Sequence, residues 1–117
     1  MKTILIVDDS VVSRRILKNM FEVAGYLVVG EAINGKDGYD QYVKLSPDVV
    51  TMDVTMPEMN GLDSIRLIKK YNPEAKIIVI SAAGQNEMIE EAKSLGVDEF
   101  VTKPYDKEII VAALNRC

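Results

Sequence analysis

Five side chains that could do chemistry stand at the ends of short apolar runs in this sequence: Asp8, Asp9, Asp53, Ser81 and Lys103. Three carboxylates close together repel one another unless a cation lies between them, and Mg²⁺ prefers oxygen ligands of this kind. An ammonium group and a hydroxyl beside them could pair with the oxygens of an anion. The residue types therefore predict a site for a hard cation and a phosphoryl group, provided that the fold brings the runs together.

The apolar runs have the length and composition of buried β-strands. They are rich in Val and Ile and mostly continuous, which indicates strands that are covered on both faces. The carboxyl ends of parallel strands meet at one edge of the sheet, where ligands bind. We predict five strands, at Thr3–Val7, Leu27–Glu31, Asp48–Met52, Lys76–Ile80 and Glu99–Thr102.

Segments with helical spacing of apolar residues separate the predicted strands. The first segment is marked by Val12, Ile16, Met20 and Ala24, and Asn72 followed by Pro73 ends the third. Five strand–helix repeats with right-handed crossovers predict an α/β fold, in which helices cover both faces of a parallel sheet. The residues placed to cap helix starts or to follow helix ends are Ser10, Asn34, Asn86, Asp106, Gly25 and Gly96.

The composition argues against several classes of function and location. The 117 residues carry a net charge of −4 and no basic run, which argues against a nucleic-acid surface. Asp8 and Asp9 interrupt the first apolar run before it reaches the length of a signal-peptide core or membrane span, and Cys117 is the single cysteine, so we expect a cytoplasmic, reducing location. No histidine is present, so a metal must be bound through oxygen, which favours Mg²⁺ over zinc.

Four segments together resemble the receiver domain of two-component response regulators, especially the single-domain chemotaxis regulators. They are Leu5–Ser10, Met52–Asp53 with Met56–Gly61, Ser81–Ala82 and Lys103–Pro104, and the resemblance covers essentially the whole chain. It implies one receiver domain over residues 1–117, expected to be a monomer. The implied fold is flavodoxin-like, (βα)5, with strand order 2-1-3-4-5. The implied activity is that of a signalling phosphoacceptor, which catalyses only its own phosphoryl transfer and autodephosphorylation.

The resemblance also implies a role for each residue of the site. Asp53 would accept a phosphoryl group from a histidine kinase or a phosphotransfer protein. Asp8, Asp9, Asp53 and the backbone carbonyl of Thr55 would bind Mg²⁺. Lys103, which precedes a cis proline bond in the family, would pair with the phosphoryl oxygens.

Further positions would carry the signal and set its lifetime. Ser81 and Phe100 would form a switch that changes the surface of the fourth helix, fifth strand and fifth helix for a downstream effector, such as a flagellar switch protein, or for a phosphatase. Thr55 and Ala83 would tune the access of water to the phosphoryl group. The acidic residues of the switched surface would be Glu87, Glu90, Glu91, Asp98 and Glu99.

Other interpretations stay open. A phosphorelay intermediate, or a receiver excised from a longer transcriptional regulator, would carry the same motifs. A haloacid-dehalogenase-like phosphatase needs a second Asp two residues after the first, where Thr55 stands. A flavin or dinucleotide carrier needs a glycine-rich phosphate loop, which is missing, and Asp8 and Asp9 would repel the phosphate. A receiver-like scaffold without phosphorylation is the last alternative.

Overall fold

The computed structural model describes residues 2–55, 61–97 and 99–117, and in these ranges five strands alternate with five helices. The sequence-motif residues 56–60 and Asp98 lie outside the described residues. The strands are β1 (Thr3–Val7), β2 (Leu27–Ala32), β3 (Val49–Asp53), β4 (Ile77–Ser81) and β5 (Glu99–Thr102). The helices are α1 (Val11–Val23), α2 (Gly35–Leu45), α3 (Gly61–Tyr71), α4 (Asn86–Ser94) and α5 (Lys107–Arg116).

The strands form one parallel sheet in the order β2-β1-β3-β4-β5, which confirms the predicted flavodoxin-like topology. Because the strand order reverses direction next to β1, the carboxyl ends of β1, β3 and β4 border a single crevice. Val7 pairs with Met52, and Asp53 pairs with Ile80. This register brings the residues that follow Val7 and the end of β4 close to Asp53.

Two predicted strands are shifted by one residue and one is longer. β3 and β4 each begin and end one residue later than predicted, and β2 extends to Ala32. Asp48 stays outside β3 because it pairs with Thr3: its carboxylate accepts from the Thr3 amide, and its own amide donates to the Thr3 hydroxyl. Hydrogen bonds to its carboxylate from the Thr3 amide and the Thr3 hydroxyl hold the pKa of Asp48 below its usual value. The predicted bounds of β1 and β5 are correct.

Helices cover both faces of the sheet, as predicted. Helices α2, α3 and α4 pack on one face over residues such as Met52 and Val79. Helices α1 and α5 pack on the other face over residues such as Ile6 and Ile78. Burying one such side chain contributes about 1.5–3 kcal/mol, so the two cores hold the strand ends in fixed relative positions. Among the described residues, no helix has the length and apolar character needed to span a bilayer.

Helix α1 turns a different face to the core from the one that its first apolar residues suggest. Val12 and Ile16 are 63% and 49% exposed, whereas Leu17 and Phe21 are fully buried. Both pairs have helical spacing, so the pattern predicts the helix correctly without deciding which stripe is buried.

Most of the predicted helix boundaries are confirmed. The side chains of Ser10, Asn34 and Asp106 accept backbone hydrogen bonds at the starts of α1, α2 and α5. Gly25 and Gly96 have φ angles of 94° and 92°, a left-handed conformation that a side chain would strain. Helix α3 ends at Tyr71, directly before the predicted Asn-Pro stop.

The predicted cap at Asn86 is wrong. Asn86 is the first residue of α4, and Gln85 occupies the preceding position without making a side-chain capping bond. The Gln85 side chain instead accepts a hydrogen bond from the Ala82 amide, 2.6 Å away. The turn after β4 therefore uses the oxygen of Gln85, and α4 begins one residue earlier than the capping pattern indicated.

Candidate functional site

Three carboxylates meet at the carboxyl edge of the sheet. One oxygen from each of Asp8, Asp9 and Asp53 lies within 4.8 Å of the other two. Asp8 and Asp53 are buried, each 1% exposed, whereas Asp9 is exposed. Three negative charges at this separation are costly without a cation, and an all-oxygen donor set suits a hard cation. The structure thus brings together the three acidic residues that the sequence singled out.

The two oxygens of Asp53 have different partners. Oδ2 accepts a hydrogen bond from the Lys103 ammonium group at 3.0 Å, and the side chain of Lys103 is 36% exposed. Oδ1 accepts from the Thr55 amide at 2.8 Å and also from the Thr55 hydroxyl. One side of the carboxylate therefore faces a cation at the solvent boundary, and the other is bound by neutral donors of its own loop.

The strand β4 positions Lys103 as well as Ser81. The Lys103 amide donates to the Ser81 carbonyl at 2.8 Å, directly after the β4–β5 pairing ends. The Lys103–Pro104 bond is cis, as the resemblance implied. Lys103 therefore leaves the end of β5 beside Ser81, and its side chain reaches Asp53.

Ser81 is fully buried, and its hydroxyl makes no hydrogen bond with any residue that the structure describes. Leaving a buried polar group without a partner costs about 1–3 kcal/mol. Ser81 directly follows Ile80, which pairs with Asp53. The unused donor thus belongs to the residue that directly follows the β4 partner of Asp53. Thr51, in the middle of β3, has a buried hydroxyl of the same kind.

The remaining predicted positions surround this centre. Phe100 pairs with Val79 and is half-buried against the core beneath α4. The Lys93 ammonium group lies 5.8 Å from the centre of the Phe100 ring, within the range of a cation–π contact. Thr55 and Ala83 are exposed in the loops that follow β3 and β4. Ala83 has no side-chain group that could orient a water molecule.

Hydrogen bonds from the start of α1 hold Asp8, and their donors were not among the predicted site residues. The Ser10 amide donates to Oδ1 at 2.8 Å, and the Ser13 hydroxyl donates to Oδ2 at 2.5 Å. The Arg14 guanidinium donates to the Asp8 carbonyl at 2.7 Å. The signal in the sequence for the Ser13 bond was its spacing from Asp8. The two residues are five positions apart across a helix start, and the first turn of a capped helix folds back towards the strand.

Tyr105 was also missed. It is half-buried, and burial, together with the charges of Asp8 and Asp53, raises its pKa to about 12. Its phenol is therefore neutral at physiological pH and forms part of the wall between the site and the core beneath α1 and α5. The signal in the sequence was an aromatic residue two positions after Lys103.

Gly61 limits the space behind Asp53. A Cβ atom at Gly61 would lie 2.8 Å from the Asp53 carbonyl oxygen and 3.0 Å from the Val54 Cα atom. Both are backbone atoms, so a side chain at this position would displace the loop that carries the carboxylate. Helix α3 consequently begins in direct contact with the backbone of the site.

The response regulator receiver domain family matches residues 4–115, and the chain belongs to this family. A relative, the chemotaxis protein CheY of Thermotoga maritima, is 50% identical over 98% of this chain and 96% of its own length. A solved CheX-CheY-BeF3-Mg complex from Borrelia burgdorferi matches with a TM-score of 0.93 and 29% identity, over 98% of this chain and 87% of the matched one. A LuxR-family two-component response regulator from an Aurantimonas species matches with a TM-score of 0.91 and 30% identity, over 97% and 82%.

Family and geometry together define the class of this protein. It is a receiver domain of the kind found in CheY-type chemotaxis response regulators. Such a domain is a signalling module rather than a metabolic enzyme.

Proposed function

We propose that this chain is a phosphorylation-activated switch in which Asp53 is the phosphoacceptor and Mg²⁺ is the metal. The observation that carries the proposal is that the Asp53 carboxylate lies within 4.8 Å of oxygens of Asp8 and Asp9 and also accepts a hydrogen bond from the Lys103 ammonium group. Asp8, Asp9, Asp53 and the Thr55 carbonyl would hold the ion. Mg²⁺ bound there would neutralise charge on the phosphoryl oxygens and on the carboxylates.

The phosphoryl group would come from a phosphohistidine of a histidine kinase or phosphotransfer protein. An oxygen of Asp53 forms a bond to phosphorus while the bond between phosphorus and the donor nitrogen breaks, and the product is an acyl phosphate. Such transfers need positioning and charge neutralisation more than covalent help. Lys103 supplies a mobile positive charge that can leave the carboxylate and pair with the incoming oxygens.

The added group then biases the switch. The acyl phosphate carries about −1.5 to −2 charge in place of the single charge of the Asp53 carboxylate. A site whose carboxylates, metal and lysine otherwise sum to about zero would therefore become negative by about 0.5 to 1 charge. The Ser81 hydroxyl has no partner among the described residues, so donating to a phosphoryl oxygen satisfies both groups. Phe100 would follow, and the surface of α4, β5 and α5 would shift between two packings.

That surface would bind the output partner. Its described carboxylates are partly paired: Glu90 with Lys93, Glu91 with Arg66 and Glu99 with Arg116. We infer that a downstream effector binds here, a flagellar switch protein in a chemotaxis pathway, and that a phosphatase or autodephosphorylation ends the signal. Thr55 and Ala83 would set the rate of hydrolysis, and residues 1–117 would act as one monomeric receiver domain.

A second candidate function has support from the LuxR-family neighbour, since the same domain occurs in that response regulator. In a phosphorelay or a longer transcriptional regulator the chemistry at Asp53 would be the same, and only the partner of the switched surface would differ. A haloacid-dehalogenase-like phosphatase is disfavoured because Thr55, which would occupy the general-acid position, donates its hydroxyl to Asp53 and carries no acid.

Labelling with a small phosphodonor tests the proposal. Incubation with the donor and Mg²⁺ should add one phosphoryl group per chain by intact mass, and none when Mg²⁺ is chelated. Asp53→Asn should abolish the addition. Asp40→Asn is the matched control, since Asp40 is exposed and pairs with Lys36 away from the site, and this variant should label like the native protein. Full labelling of Asp53→Asn would place the acceptor elsewhere.

A further inference from the structure

We propose that Ser13 is a positioning residue that orients the Asp8 carboxylate for metal binding. The inference rests on the proposed function, because it concerns the same ion. Ser13 lies in the first turn of α1, is partly buried, and places its hydroxyl oxygen 2.5 Å from Asp8 Oδ2.

Asp8 differs from Asp9 in how the protein holds it. Both oxygens of the buried Asp8 carboxylate accept hydrogen bonds, one from the Ser10 amide and one from the Ser13 hydroxyl. Asp9 is exposed, and its carboxylate accepts no hydrogen bond from the described residues. Two donors to one carboxylate fix the plane of the group, and bonds to a charged acceptor are the strong ones. Asp8 is therefore oriented before an ion arrives.

The donor itself is held in place by the start of the helix. The Ser13 amide donates to the Ser10 hydroxyl at 3.2 Å. The next residue, Arg14, donates to the Asp8 carbonyl at 2.7 Å and pairs with Glu31 of β2 at 3.3 Å. The first turn of α1 is thus tied to the ends of β1 and β2, so Ser13 presents its hydroxyl from a fixed element rather than from a free loop.

Removing the Ser13 hydroxyl should weaken Mg²⁺ binding without removing a metal ligand. Carboxylates that bind metals are themselves oriented by hydrogen bonds, and losing such a partner typically costs 10–100-fold in affinity. We expect Ser13→Ala to raise the Kd for Mg²⁺ by about tenfold, near the lower end of that range, because the Ser10 amide still holds Oδ1.

The experiment titrates Mg²⁺ alone into the native protein and its variants while following backbone amide shifts, a readout that does not depend on phosphorylation. Ser13→Thr and Ser13→Val form the decisive pair, since they have nearly the same shape and differ by the hydroxyl. Ser13→Thr should bind like the native protein, and Ser13→Val should match Ser13→Ala. Ser10→Ala keeps both donors to Asp8 but loses the capping bond to the Ser13 amide, so it should weaken Mg²⁺ binding less than Ser13→Val does.

A second readout separates binding from chemistry. The Mg²⁺ concentration for half-maximal labelling by a small phosphodonor should rise in Ser13→Val by the same factor as the Kd, while the rate at saturating Mg²⁺ should stay near the native value. A lower labelling rate at saturating Mg²⁺, with an unchanged Mg²⁺ concentration for half-maximal labelling, would overturn the positioning role.

Two more results would count against the inference. Equal affinities of Ser13→Thr and Ser13→Val would show that the hydroxyl does not matter, and equal weakening in Ser10→Ala would trace the effect to helix stability. Failure of the native protein to bind millimolar Mg²⁺ is a different outcome, since it overturns the proposed function and the inference with it.

Discussion

Asp53 differs from an ordinary strand-end aspartate because its two carboxylate oxygens have different partners. Oδ1 is bound by the neutral donors of Thr55, and Oδ2 faces the Lys103 ammonium group at 3.0 Å. A lysine at the solvent boundary is a flexible point charge, so it can exchange one anionic partner for another at low cost. A strand-end aspartate alone would be an ordinary carboxylate, and these two neighbours account for the difference.

At the same scale, Tyr105 should ionise much later than an ordinary tyrosine. Its pKa is raised from 10.0 to about 12 by burial first, and then by the charges of Asp8 and Asp53. The folded protein holds this proton more tightly than the unfolded chain does, so the stabilisation is complete below pH 10 and is lost as the pH rises towards 12. Absorbance titration of tyrosinate should show a late step that disappears in Tyr105→Phe.

The exposed Tyr71 provides the control for this titration. Tyr71→Phe also removes one tyrosine, but it should leave the late step in place. Adding Mg²⁺ should move the late step to lower pH, because the cation offsets the charges of Asp8 and Asp53. Curves for Tyr105→Phe and Tyr71→Phe with the same shape would contradict the assignment.

At the scale of elements, β4 extends from the neighbourhood of Asp53 to the core beneath α4. Its last residue, Ser81, follows Ile80, which pairs with Asp53, and the Ser81 carbonyl accepts a hydrogen bond from the Lys103 amide. Two residues earlier, Val79 pairs with Phe100 beneath α4. A movement of the Ser81 loop towards a phosphoryl group would therefore alter the packing of α4 and β5 directly, through adjacent residues of one strand.

Ser81→Ala should separate phosphorylation from signalling. Asp53 and Lys103 stay in place, so labelling should persist. Phosphorylation of the native protein should strengthen partner binding by about 1 to 3 kcal/mol, and this gain should shrink substantially in Ser81→Ala. The measurement is the affinity of a phosphorylation-dependent partner for each protein, with and without a stable phosphoryl mimic on Asp53.

Thr51→Val is the matched control for Ser81→Ala, since both substitutions remove a buried hydroxyl that has no partner among the described residues. Neither should lower the free energy of unfolding by much, because a buried hydroxyl without a partner costs stability rather than adding to it. Thr51→Val should keep the full gain in affinity. An undiminished gain in Ser81→Ala, or an equal loss in Thr51→Val, would show that the signal leaves the site by another route.

At the scale of the whole molecule, the fold gathers every acidic and basic part of the site but offers no phosphohistidine donor. Five parallel strands bring three carboxylates, a hydroxyl and an amine to one edge. The 117 residues include no histidine. The chain can therefore accept a phosphoryl group from histidine only by docking against another protein.

Transfer from a second protein should consequently be efficient and specific to Asp53. A purified histidine kinase, phosphorylated on its histidine and freed of ATP, should lose its label to the native chain in the presence of Mg²⁺. Asp40→Asn should accept the label, and Asp53→Asn should not. Efficient labelling by a serine kinase, with no transfer from any phosphohistidine donor, would contradict this prediction.

The sequence by itself determined the order of strands and helices and the acidic residues and lysine that the fold brings together. The reason is that these features depend on near neighbours along the chain: apolar runs predict buried strands, and Ser10, Asn34 and Asp106 cap helices through bonds that span three residues. Predicting that the carboxylates lie close together needed only one further assumption, that the strands are parallel.

Where the sequence allows several local arrangements, only the tertiary structure decided which one forms. Helix α1 has two apolar stripes, and packing against α5 and the sheet buries Leu17 rather than Val12. At α4 the side chain of Gln85 binds the preceding turn, so the predicted cap at Asn86 does not form. The hydrogen bond from Ser13 to Asp8 also arises only once strand and helix are packed together. The burial of Leu17 depends on contacts between distant segments, which no local pattern of residues contains. The bonds of Gln85 and Ser13 span only a few residues, but they form only when the fold fixes the angle between a strand end and the helix that follows.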